Sequence, residues 1–187
     1  MAVDLADEFG VGRDRLRAIF GDDSEMIVGD VIEPGLAVVF CGTALGAESA
    51  RRRAYYAGPG NKFWPTLAAV GLTPRRLAPE EYPRVVDYGL GLTDLCKTRS
   101  GSDAEIGLGG FDPDGLRAKI EAAGPDWLAF TSKHAAKNAL GLKAVDYGVW
   151  AERFGGAAVF VLPSPSGAAS GHWDITRWQE LADLVAG

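Results

Sequence analysis

The sequence predicts an α/β fold organised around a mostly parallel sheet. Three observations carry that prediction: apolar runs alternate with helical patterns along the chain, the strongest runs have no polar face, and the two clearest end in polar loops containing glycine. A strand that is apolar at every position is one covered on both sides, as strands of parallel sheets are.

Residues 4–20 place Leu5, Phe9, Leu16, Ile19 and Phe20 in helical segments broken near Gly10 to Gly12, so 1–29 reads as an N-terminal helical extension, and Gly29 to Pro34 as a connector. The first strand is Leu36-Ala-Val-Val-Phe-Cys41, and its loop is Gly42-Thr-Ala-Leu-Gly46. After the polar segment Tyr55 to Asn61, a helix runs from Lys62 to Val70, stopped by Gly71 and Pro74. A short helix over 79–85 leads into Asp87-Tyr-Gly-Leu-Gly-Leu-Thr-Asp94. Asp112 and Pro113 form a cap and first-turn pair for a helix reaching Ala123, with Gly124-Pro125 as its stop. Trp127 to Thr131 is the next strand, and Ser132 caps a helix through Leu140. Residues 145–154 fit neither pattern cleanly. Ala157 to Leu162 is the last strand, its loop is Pro163-Ser-Pro-Ser-Gly167, and a final helix runs from Asp174 to Val185. If the strands at 36–41 and 157–162 lie side by side, their loops open at one sheet edge, where ligands of open α/β sheets bind.

A chain of 187 residues buries one good core, so 1–187 reads as a single domain. No apolar run is long enough to cross a bilayer, and the first residues include Asp4, Asp7 and Glu8 where a signal peptide is basic. The expectation is a soluble, cytoplasmic monomer. Cys41 and Cys96 fall in or beside core segments and form no close pair, which argues against a disulfide framework. Two histidines, His134 and His172, with no Cys-x-x-Cys, support neither zinc nor an iron–sulfur cluster, so the site is expected to work without metal or other cofactor.

Formal net charge is −6, yet residues 42–62 hold Arg51, Arg52, Arg53 and Lys62 against Glu48 alone. Lys97 and Arg99 follow the next polar loop. Such segregation can steer a phosphate backbone to one face, or can simply be a solvated edge.

Four segments in this order carry a family likeness: Gly-x-x-x-Gly after the first strand, Tyr55-Tyr-Ala-Gly-Pro-Gly-Asn-Lys-Phe-Trp64, Tyr88-Gly-Leu-Gly-Leu-Thr-Asp-Leu95, and Leu162-Pro-Ser-Pro-Ser-Gly167. Together they resemble the mismatch-specific uracil-DNA and thymine-DNA glycosylases, from about Asp30 to the C-terminus. The resemblance implies a three-layer αβα fold with a central, mainly parallel four-stranded sheet. It also implies an enzyme that cuts the bond between a damaged base and deoxyribose in DNA, leaving an abasic site.

That chemistry needs an aromatic face for an extruded base, a carboxylate near the sugar where positive charge develops, and N–H donors for the departing base. Tyr56 matches the stacking position; Tyr55 and Tyr56 also read as core anchors for the loop. Asn61 reads as a cap, a loop brace or a base-edge contact, with the structural role preferred. In the family the first loop is usually Gly-Ile-Asn-Pro-Gly, and its asparagine holds the attacking water. Here Gly42 and Thr43 are followed by Ala44 and Leu45, so that amide is missing. Some relatives carry an aspartate in the second segment, and Asp94 matches them, ending an otherwise apolar run. Asp94 reads as the catalytic carboxylate or as an acid paired with Lys97 or Arg99.

Ser164 stands where relatives have histidine or asparagine. Ser166 and Gly167 can approach a phosphate closely, and Gly167 to Ser170 occupy the stretch that wedges into the duplex in the family; here the wedge is Ala168-Ala169, with no large side chain, which implies a preference for uracil in mismatches or single strands. His172, with Trp173, reads as a DNA contact or plug or equally as packing at the start of the last helix, His172 is also the backup base, and Arg51, Arg52, Arg53 and Lys97 are the expected phosphate contacts. No lysine of the matched segments stands where a Schiff-base nucleophile is expected, Lys97 being nearest, so the implied reaction is monofunctional hydrolysis. Two other classes fit the same residues: a non-catalytic binder of uracil-containing or abasic DNA, and a nucleoside hydrolase.

Overall fold

A computed structural model describes residues 26–187. The expected helices over 4–20 lie outside the described residues. The sheet has five strands: β1 (Val38–Gly42), β2 (Leu90–Asp94), β3 (Trp127–Phe130), β4 (Gly148–Phe154) and β5 (Ala157–Val161), in the order β2-β1-β3-β5-β4. The first three contacts from β2 to β5 are parallel, and β4 joins antiparallel to β5.

This corrects two expectations. The sheet has five strands rather than four, because the ambiguous stretch 145–154 contains β4. It is an edge strand with mostly exposed side chains, so it lacks the apolar run of a central strand. Gly155 and Gly156, both at positive φ, turn it directly into β5. The strands β1 and β5 are also not neighbours, since β3 runs between them. Their C-terminal ends nevertheless share one edge.

Side chains of β1 alternate between two cores. Val38 and Phe40 pack with Phe63, Trp64, Trp178 and Leu181, whereas Val39 and Cys41 pack with Leu116, Ile120, Phe130 and Ala136. The first group brings in α2 (Phe63–Ala69) and α6 (Ile175–Ala186), the second α4 (Pro113–Ala123) and α5 (Lys133–Leu140). Helices on both faces make the three layers. Two short helices, α1 (Ala47–Arg52) and α3 (Asp103–Ile106), and a 3₁₀ segment, Pro79–Tyr88, fill the connections.

The caps follow the sequence. Asp112 accepts from Gly115 N–H at 2.9 Å, Ser132 from Ala135 N–H at 3.0 Å, and Asp174 from Thr176 N–H at 2.9 Å. Buried Trp178 stacks on Phe40 and donates through Nε1 to the Pro163 carbonyl at 3.2 Å. That bond ties α6 to the loop carrying Ser164. The outer edge of β2 is covered by Val31, whose N–H and C=O both bond Leu92, at 2.9 and 2.8 Å.

Candidate active site

Gly42 and Asp94 are register partners at the C-terminal ends of β1 and β2, and Thr131 follows β3 at the same edge. A Cβ on Gly42 would stand 2.5 Å from Asp94 Oδ1 and 3.5 Å from both Thr131 Oγ1 and Tyr56 Oη. Three oxygens therefore converge on the hydrogen face of one glycine. A methyl there would force the Asp94 carboxylate to shift, so glycine is what leaves that carboxylate its place.

Asp94 is buried, 5% exposed, and its Oδ2 has no hydrogen-bond partner among the described residues. Burial pushes its carboxyl up from 3.8 to about 7, with Asp30 adding to the rise, while Lys97, Lys119 and the Gly42 backbone work against it. Neither lysine nor arginine nearby is its ion-pair partner. Lys97 is bound to Asp30 at 3.0 Å, and Arg99 donates to the Ile106 carbonyl at 3.2 Å. A buried, unpaired carboxylate at a sheet edge is costly for the fold and suited to handling a proton.

Tyr55 and Tyr56 divide the two roles the sequence left open. Tyr55 is the anchor: its ring is 1% exposed, its hydroxyl accepts from Lys97 Nζ at 2.6 Å and donates to the Gly29 carbonyl at 3.1 Å. Trp64 Nε1 holds its carbonyl at 2.9 Å. Tyr56 takes a left-handed conformation, φ 52°, which turns its half-buried ring to the site. Such a conformation costs a tyrosine about 1 kcal/mol or more. The ring lies flat on Phe63, centroids 3.9 Å apart, and its hydroxyl meets Thr131 Oγ1 at 3.2 Å. Burial, then the Asp94 charge, raises both phenols well above their ordinary range, so both are neutral.

The loop after Tyr56 packs directly on the loop after β5. Lys62 N–H donates to the Pro165 carbonyl at 2.8 Å, and Lys62 Nζ to Ser170 Oγ at 3.0 Å. Asn61 Oδ1 accepts from Phe63 N–H at 2.9 Å, bracing the start of α2. Ser164 Oγ accepts from Ser166 N–H at 3.3 Å, and Ser166 Oγ from Ala168 N–H at 3.3 Å. Thr43 and Ala44 are half-buried beside Asp94's strand, with the Thr43 carbonyl accepting from Cys96 N–H at 2.8 Å. Gly167 to His172 form a 3₁₀ turn with Ala168, Ser170 and His172 exposed and Ala169 half-buried.

The expected phosphate contacts are not equivalent. Arg51 is clamped by Glu48, Oε2 at 2.9 Å from its Nε. Arg52 is held by Glu80 at 2.8 Å and by the Ala57 carbonyl at 3.1 Å. Arg53 is exposed at the left-handed end of α1 and has no ion pair among the described residues. Lys97 points inward, its side chain 10% exposed, so the structure gives it a buried role rather than a place on a phosphate track. Exposed Arg76 was not expected at the site; it lines a cavity of about 370 Å³ with Arg52, Tyr56 and Asn61. Asp94 is not part of that cavity's wall.

Sequence reasoning missed Thr131, Phe63 and Asp30. Thr131 was legible as the polar residue ending an apolar strand at the loop-bearing edge. Phe63 and Asp30 carried no local signal, since their roles arise from partners distant in sequence. Among the described residues no group of His, Cys, Asp and Glu side chains is arranged to hold a metal ion, and no helix is long and apolar enough to cross a membrane.

The chain is similar to a solved solution NMR structure from Methanosarcina acetivorans named "a putative Uracil DNA glycosylase", with a TM-score of 0.56 and 22% identity, covering 84% of this chain and 94% of that chain. At that identity the likeness speaks for the fold. A family model described as the Uracil DNA glycosylase superfamily matches residues 30–182, a span that includes Asp94, Tyr56, the Gly42 loop and the Ser164 loop. The chain belongs to the uracil DNA glycosylase superfamily.

Proposed function

We propose that this protein is a monofunctional DNA glycosylase that removes uracil by water attack, with Asp94 in place of the missing loop asparagine. The observation that carries the reading is Asp94 itself: buried, without an ion-pair partner, with Oδ2 unbonded and Oδ1 at the glycine where Tyr56 and Thr131 converge.

The extruded uracil stacks on Tyr56, whose ring is backed by Phe63. As the bond from C1′ to N1 of uracil lengthens, its electron pair moves onto the base and positive charge builds on the sugar. Ionised Asp94 stabilises that charge and accepts a proton from the water whose oxygen bonds C1′. Ser164 and backbone N–H groups of the Gly42 to Ala44 loop bind the anionic base. Arg53 and the exposed turn at Ala168 to Ser170 hold the strand, and His172 borders it. Ala168 and Ala169 fill the wedge position with little bulk, which favours uracil in G:U mismatches and single strands over uracil in stable pairs.

The test is incubation with oligonucleotides bearing U opposite G, U opposite A and U in a single strand, followed by alkali. Alkali-labile product, greatest with G:U and single-stranded substrate, is expected. Tight binding to uracil-containing DNA with no cleavage in any arm would instead select a non-catalytic binder, the reading favoured by Ala44.

A further inference from the structure

Behind the site lies a buried cluster of charge that the reaction does not use directly. Asp30, 7% exposed, takes Lys97 Nζ on Oδ1 at 3.0 Å and Lys119 Nζ on Oδ2 at 2.6 Å. Thr93, fully buried, donates to Asp30 Oδ1 at 2.7 Å. Lys97 also donates to Tyr55 Oη at 2.6 Å. Two members of the cluster are therefore chain neighbours of the site: Thr93 precedes Asp94, and Tyr55 precedes Tyr56.

Two ammonium groups against one carboxylate leave a formal charge of +1 inside the protein. Such an excess is expensive unless another buried charge balances it. The groups facing Asp94 from the surrounding elements are Cys41 on β1, Tyr55 and Tyr56 on the loop before α2, Thr131 after β3, Lys97 after β2, Asp30 in the connector and Lys119 on α4. Burial above all keeps the thiol of Cys41 and both phenols neutral. Burial also opposes the charge on Asp30, but Lys97 and Lys119 outweigh it and hold that carboxyl below its ordinary range. Among the described residues one candidate remains to balance the cluster, and it is Asp94.

We propose that the Asp30, Lys97 and Lys119 cluster is the built-in counter-charge of ionised Asp94, with Lys97, three residues beyond Asp94 in the chain and bound to Asp30, acting on it through charge rather than contact. The four groups form a neutral set when Asp94 is ionised and an unbalanced one when it is protonated, so the cluster offsets part of the burial cost of ionising Asp94 without exceeding it. Lys97 thus acts through Asp94 rather than on DNA. The inference rests on Asp94 being the working carboxylate, but its test involves no DNA, so a protein that fails to excise uracil leaves the cluster's role separately testable.

The direct experiment follows the Asp94 carboxyl carbon by NMR in free, ¹³C-labelled protein. Lys97→Met raises its titration midpoint by about one pH unit or more, the effect of a lost neighbouring cation, and Lys97→Arg leaves it near the wild-type value. A urea double-mutant cycle at pH 8 gives a second reading: Lys97→Met lowers the midpoint strongly in the wild-type background and far less beside Asp94→Asn. If Lys97→Met alone does not fold, the double variant with Asp94→Asn is expected to regain folding. The proposal is overturned if Met and Arg at position 97 leave the Asp94 titration equally placed, or if the two urea shifts simply add.

Discussion

Replacing Asp94 by asparagine is expected to make the protein more stable at alkaline pH while removing its chemistry. The carboxyl titrates at 3.8 in an unfolded chain and at about 7 in the folded protein. Between those values the unfolded state loses its proton and the folded state keeps it. Stability from this group is therefore fully present below pH 3.8, falls as pH rises to about 7, and stays reduced above it. At about 1.4 kcal/mol for each pH unit between the two values, the loss totals about 4 kcal/mol. Asparagine has no proton to lose, so that pH dependence disappears in Asp94→Asn. Thermal melts at pH 5 and pH 8 read the part of the loss that falls between pH 5 and about 7, roughly 3 kcal/mol: the gap between variant and wild type widens by about 5–10 °C on going to pH 8, using about 2–4 °C per kcal/mol for a chain of this size. A gap that stays constant with pH refutes the placement of Asp94 as a buried, costly acid. A gap that narrows refutes the sign of the argument.

Excision by the wild type should rise with pH through about 7 and then level, because the ionised carboxylate is the working form; a rate flat from pH 5 to 8 contradicts this. Gly42→Ala places a methyl 2.5 Å from Asp94 Oδ1. It should cost about 1–3 kcal/mol in urea unfolding and slow excision at least about tenfold. Tyr56→Phe loses only the bond to Thr131 and should retain most activity, whereas Tyr56→Ala removes the stacking face and should weaken binding by about 1–3 kcal/mol, measured on uracil-containing single strands. Arg53→Glu should lower DNA affinity and reduce the salt slope by about 0.9, while Arg51→Glu, whose native side chain is already engaged by Glu48, should change the slope less.

The parts of the fold legible in the sequence were those decided by local chemistry. Asp112-Pro113 and Ser132 announce helix starts, and an unbroken apolar run such as Val38 to Cys41 announces a strand covered on both faces. The strand β4 was not legible because its exposed edge carries Val149, Glu152 and Arg153 without a clean alternation. The Gly155-Gly156 pair after it was the available hairpin signal. At the site, Asp94 stood out as an acid closing an apolar run. Lys97 did not reveal its direction. A lysine beside a polar loop reads as a surface cation, and only the tertiary pairing with Asp30, sixty-odd residues earlier in the chain, turns it inward. Arg51 and Arg52 were likewise visible as charge, but their acidic partners Glu48 and Glu80 come from helix geometry and from a segment folded back over α1.

The central claim is that one buried carboxylate does the work of the missing asparagine, and single-turnover excision at pH 8 from a G:U duplex by wild type and Asp94→Asn tests it most directly. The variant is expected to bind the duplex as the wild type does and to release uracil at least about 100-fold more slowly. Equal rates for the two proteins would contradict it.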